Sequence, residues 1–211
     1  MSLERVAPMR RCAAWLTRQP GMLATLGADL DRYREFHRRS GRVVGHLRLL
    51  VESLTFKAGF QAVLLYRVSH WLHQHRLTWP AWTVSRLNLL VTGSDIEFGA
   101  RIGAGLLLPH PSGIVIGRGT VIGEQATVFQ GVTCGVRGWS ATGGAAYPVI
   151  GNGVVLFARC SVLGGITVGD RAIVGAHALV TRHVPTGGLA QGVPADVWPG
   201  GGDALLRKWG L

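Results

Sequence analysis

From residue 95 onward an apolar residue returns at every sixth position: Ile96, Ile102 and Leu108; then Ile116, Ile122, Val128 and Cys134; then Ile150, Leu156, Val162, Val168, Val174 and Val180. Six residues are too few for a helical repeat and suit a short extended segment plus a corner. Small residues often follow the marker, as in the "IG" pairs at 102, 116, 122 and 150, and relieve crowding at the bend. The pattern predicts a parallel β-helix whose marker side chains point inward and stack from coil to coil. Eight residues separate markers 108 and 116, and sixteen separate 134 and 150. A filled interior forces these extra residues outward. The first bulge holds His110 between Pro109 and Pro111; the second is the glycine-rich "GVRGWSATGGAAYP".

Before residue 93 apolar residues return every three or four positions, in "GMLATLGADLDRYREFHRRSG", "FKAGFQAVLLYRVSHWLHQHRL" and "AWTVSRLNLLVTG", which predicts helices. Phe60, Val63, Leu64, Val68, Trp71 and Leu72 make one stripe, with Gln61, Arg67 and Gln74 off it. His70, His73 and His75 lack a cysteine or carboxylate beside them, so they read as solvated or capping residues and not as metal ligands. Trp71, Trp79 and Trp82 with Arg67, Arg76 and Arg86 fit helix packing within an oligomer better than an interfacial membrane helix.

Charge narrows the function classes. The net charge of +11 sits mostly in residues 1 to 90, which carry 14 Arg/Lys against 5 Asp/Glu. These arginines are scattered and accompany no nucleic-acid signature, so nucleic acid is not the expected partner. Cys12, Cys134 and Cys160 have no close spacing, which argues against a disulfide framework or a zinc site and fits a reducing cytoplasm. No apolar run reaches the length of a membrane span.

Four stretches resemble the serine acetyltransferase branch of the hexapeptide acyltransferases: "GFQAVLLYRVSHWL", "SDIEFGARIGAGLLLPHPSGIVIG", "VTCGVRG" and "AQGVPADV". The likeness spans roughly residues 45 to 200. It implies an α+β chain: a helical domain over 1–92, a left-handed parallel β-helix of hexapeptide repeats over 93–200, and a tail over 201–211. It also implies acetyl-CoA as co-substrate, no metal, and a homotrimer or hexamer. By position His110 matches the family's general base and Asp95 the aspartate that orients it; Gly135, Ala158 and Ala176 match small residues along the CoA groove. The chemistry suits these residue types. A hydroxyl attacking a thioester needs a base within hydrogen-bond reach, neutral imidazole serves near pH 7, and a carboxylate fixes its tautomer. Fifteen residues separate Asp95 from His110, close to one eighteen-residue coil, so the two are expected to be near neighbours. Cys134, at an inward marker, reads as core and not as an acyl carrier.

The chain also departs from the family. Pro109 stands where an aspartate precedes the catalytic histidine, Ala146 and Tyr147 stand for an Arg-His pair, and His37 is the nearest counterpart of a helical aspartate that contacts serine. A serine site must pair both charges of a zwitterion, since an unpaired charge is costly to desolvate. The expectation is therefore an O-acetyltransferase acting on a sugar or other non-serine alcohol, with Tyr147 available to stack on it. An authentic serine acetyltransferase and a non-catalytic CoA-binding scaffold are the alternatives.

Overall fold

The computed structural model describes residues 21–39, 45, 51–52, 55, 57–138 and 146–209. Cys12, Leu211 and the centre of the second bulge lie outside them. Among the described residues, helices α1 (Met22–Arg39), α2 (Ala58–Gln74) and α3 (Thr78–Thr92) precede fourteen short strands, from β1 (Asp95–Ile96) to β14 (Ala195–Trp198), and a helix α4 (Gly201–Trp209) follows them. Within the tail expected over 201–211, residues 201–209 are helical.

The strands stack into three parallel faces. The first holds β1 (Asp95–Ile96), β3 (Val115–Ile116), β6 (Thr133–Gly135), β9 (Ser161–Leu163) and β12 (Leu179–Val180). The second holds β2 (Arg101–Ile102), β4 (Val121–Ile122), β7 (Val149–Ile150) and β10 (Thr167–Val168). The third runs through β5 (Thr127–Val128), β8 (Val155–Leu156), β11 (Ile173–Val174) and β13 (Leu189–Gly192), with β14 closing its edge in antiparallel fashion. Every hexad marker is buried, and all but Leu108 lie in strands. The bulges show in the register: Asp95 pairs with Val115, Val115 with Thr133, Thr133 with Ser161 and Ser161 with Leu179.

A ridge joins the third face to the first. Gly93, Gly113, Gly131, Arg159 and His177 stack there, all with φ between 59° and 73°. Backbone bonds link them upward: Gly113 N to Gly93 O at 2.8 Å, Gly131 N to Ser112 O at 3.0 Å, Arg159 N to Gln130 O at 2.8 Å and His177 N to Ala158 O at 3.0 Å. Glycine takes this left-handed backbone freely, whereas Arg159 and His177 each bear a cost of about 1–2 kcal/mol that the coil register imposes.

The helical stripe is rotated from its expected position. On α2 the buried residues are Gly59, Phe60, Ala62, Val63, Tyr66, Arg67 and Ser69, while Leu64, Val68 and Leu72 are only partly covered and Trp71 is exposed. Arg67 comes inside because it is fully paired. Its Nε donates to Asp29 Oδ2 at 2.9 Å, and its Nη atoms donate to the Ile102 and Gly103 carbonyls. Trp79, Trp82, Leu87, Leu90 and Val91 on α3 are exposed. Among the described residues no helix is long and apolar enough to cross a membrane.

Candidate active site

His110 is exposed on the first bulge, where the chain turns from the third face onto the first. The bulge is held from below: Ser94 Oγ donates to Pro111 O at 2.7 Å, in the same turn as the Gly113 to Gly93 bond. Its entry is held by α1, since Tyr33 Oη donates to Leu108 O at 3.2 Å and accepts from Leu108 N at 3.1 Å. A rigid corner thus presents an imidazole that makes no side-chain hydrogen bond among the described residues.

Asp95 begins β1, next to Ser94, so the two expected partners lie on segments joined by the Ser94–Pro111 bond. The carboxylate itself is engaged elsewhere: Arg86 Nη2, on α3, donates to Asp95 Oδ1 at 3.0 Å. The spacing differs from the expected coil as well. At this level the coil takes twenty residues, Asp95 to Val115, because the bulge lengthens it, so His110 stops five residues short of the position stacked on Asp95. Arg86 also lies 3.9 Å from Glu97, which in turn lies 3.9 Å from Arg118. Charges of both signs therefore surround the first coil. Sequence periodicity missed Arg86 because an arginine on an apolar helix carries no sign of its partner nine residues ahead.

Ala158 and Ala176 lie on the ridge that carries the His110 bulge, one coil apart, beside Arg159 and His177. Gly135 ends β6 on the opposite edge of the first face. A Cβ built on Gly135 would meet nothing within 4 Å, so internal packing does not demand a glycine there. Small residues and open space beside backbone amides fit an extended thioester arm. Tyr147 follows the second bulge, at the corner between the first and second faces, so within one chain it stands at a different corner from His110. Its half-buried ring packs against Gly117 and Gly119, where any Cβ would overlap it.

Cys134 and Cys160, the cysteines among the described residues, are both buried. Burial pushes the Cys134 thiol well above its usual range and raises Cys160 to about 12, so neither supplies a thiolate near neutral pH. Among the described residues no cluster of histidine, cysteine and carboxylate side chains forms a metal site. His70 and His75 instead bond the Phe98 and Trp71 carbonyls.

The three-faced parallel coil of six-residue steps is the architecture of a hexapeptide-repeat protein, and the relatives below make its class that of the acyltransferases. Residues 147–182 match the bacterial transferase hexapeptide (six repeats) family. The chain is 42% identical over 144 residues to the serine acetyltransferase of Helicobacter pylori, covering 68% of this chain and 83% of that protein. It is 39% identical over 147 residues to that of Synechococcus elongatus, covering 70% of this chain but 59% of the longer relative. Soybean serine acetyltransferase complexed with serine superposes with a TM-score of 0.76 at 33% identity, over 85% of this chain and 70% of that one. The chain belongs to the serine acetyltransferase family of acetyl-CoA-dependent acyltransferases, and its coil is the left-handed parallel β-helix of that family.

Proposed function

We propose that the chain transfers the acetyl group of acetyl-CoA to the hydroxyl of L-serine in a ternary complex. Residues 93–200 form the acyltransferase domain, residues 1–92 a helical domain that supports it, and 201–211 a C-terminal tail. His110 takes the hydroxyl proton as the oxygen attacks the thioester carbonyl, and returns it to the departing CoA thiolate. Asp95 supports the imidazolium formed between these events, and a ridge amide near Ala158 or Ala176 stabilises the oxyanion. The observation that carries this reading is the exposed His110 on the ridge that also bears Ala158 and Ala176.

Serine takes precedence over the sugar expected from the altered clamp because the relatives from Synechococcus elongatus and Helicobacter pylori both bear the name serine acetyltransferase. The cluster of Arg86, Asp95, Glu97 and Arg118 supports it too, offering both signs of charge to a zwitterion. A second reading, a sugar or other alcohol without an amino-acid head, rests on Pro109, Ala146 and Tyr147, which supply no charge; Tyr147 would then face the acceptor across a subunit boundary. A homotrimer, paired into a hexamer through the exposed face of α3, is the assembly we favour. Thiol release from acetyl-CoA with L-serine, beside a panel of sugars and hydroxy compounds, separates the readings. Saturable turnover with serine supports the first; turnover confined to uncharged alcohols replaces it with the second.

A further inference from the structure

We infer that the third face carries a binding site for an amphipathic monocarboxylate, in the cleft between α1 and α4. The cleft has a volume of about 330 Å³, at the small end of the roughly 300–1,000 Å³ range of small-molecule pockets. Its lining is largely apolar: Leu107, Val155 and Leu206 join the stacked rings of Phe129 and Phe157, whose centroids are 5.2 Å apart. Such a surface takes the body of a ligand and not a hydrated ion.

The rim carries the opposite chemistry. Arg32, Arg39 and Arg171 line the cleft, and no carboxylate does among the described residues. Two of the three are already paired, Arg39 with Glu35 at 2.8 Å and Arg171 with Asp203 at 3.2 Å. Arg32 is not so placed. Its Nη2 reaches Thr127 Oγ1 at 3.2 Å, while its Nε is buried and has no acceptor among the described residues. Its Nη1 makes no hydrogen bond among the described residues and is the donor left for an arriving oxygen. Burial also disfavours the charge of this guanidinium, a cost that a neighbouring anion would offset.

Charge arithmetic selects the head group. Among the described residues Arg39 and Arg171 each have a carboxylate within 4 Å and Arg32 has none, which leaves one lining guanidinium for a single carboxylate head group. Guanidinium and carboxylate geometry is complementary, whereas a neutral alcohol of equal length gains the apolar lining alone. The cleft lies over the third face, and the ridge proposed for acetyl-CoA runs along one edge of that face, where Phe157 adjoins Ala158.

Calorimetric titration of the full chain with octanoate and with 1-octanol tests this. Octanoate is expected to bind once per chain, with octanol at least tenfold weaker. Arg32→Gln should bring octanoate down to the level of octanol, Leu206→Trp should fill the cleft and weaken both at least tenfold, and saturating CoA should leave octanoate binding unchanged. The inference is overturned by absence of saturable octanoate binding to the unaltered chain, by equal affinity for octanoate and octanol, by an undiminished preference in Arg32→Gln, or by competition from CoA.

Discussion

The phenol of Tyr33 satisfies both the N–H and the C=O of Leu108, at 3.1 and 3.2 Å, two residues before His110. Gly59 on α2 presses on the same carbonyl so closely that a Cβ there would overlap it. Both contacts are buried, so helix and coil meet where the first bulge begins. Burial holds the Tyr33 hydroxyl well above the usual phenol range, keeping it protonated and able to donate.

Tyr33→Phe removes the phenol and leaves the buried Leu108 N–H without an acceptor, which costs about 1–3 kcal/mol. Thermal unfolding should therefore move down by several degrees. If the bulge is also held in place through Leu108, kcat should fall with little change in the KM for acetyl-CoA. Steady-state kinetics beside a melting curve reads both.

Gly135 separates packing from ligand binding. Because a side chain there meets no atom of the chain within 4 Å, Gly135→Val should leave the melting temperature nearly unchanged. The isopropyl group would meet a pantetheine arm held between the Gly135 edge of one subunit and the Ala158–Ala176 ridge of its neighbour. CoA affinity, measured by calorimetry, should fall at least tenfold.

His70 makes stability depend on pH. Burial lowers its pKa from the usual histidine value, although the bond from Nδ1–H to Phe98 O at 2.7 Å opposes this. Gln74 Nε2 lies 2.9 Å from the other ring nitrogen, and its N–H donates there when the ring is neutral. Because the folded pKa lies below the unfolded one, near 6.5, the unfolded chain binds more protons in that window, and stability is lost as pH falls below about 6.5. Denaturant midpoints at pH 7.5 and 5.5 should differ more for the natural chain than for His70→Gln.

Much of the β-helix was legible in the sequence because one property, an inward aliphatic at every sixth residue, decides each coil locally. Both bulges were legible for the same reason: Asp95 to Val115 and Thr133 to Ser161 are the register steps that the broken period implies. What escaped was long-range and polar. Arg67 looked like a solvent-facing residue, since hydropathy cannot announce that Asp29, thirty-eight positions earlier, will neutralise it inside. Tyr33 and Leu108 stand seventy-five positions apart, and neither belongs to a repeating pattern. The candidate site was legible as a histidine on a bulge, but not in its pairing, because the bulge that exposes His110 also lengthens the coil and Arg86 takes the Asp95 carboxylate.

The central claim is that an imidazole at position 110 removes the proton from the acceptor. Thiol release from acetyl-CoA, with the best acceptor of the panel, should be compared between the natural chain and His110→Ala, with CoA affinity measured alongside. A fall in kcat of about 10²–10⁴, the usual range for losing a general base, is expected with CoA binding preserved. Turnover by His110→Ala within a few-fold of the natural chain would contradict it.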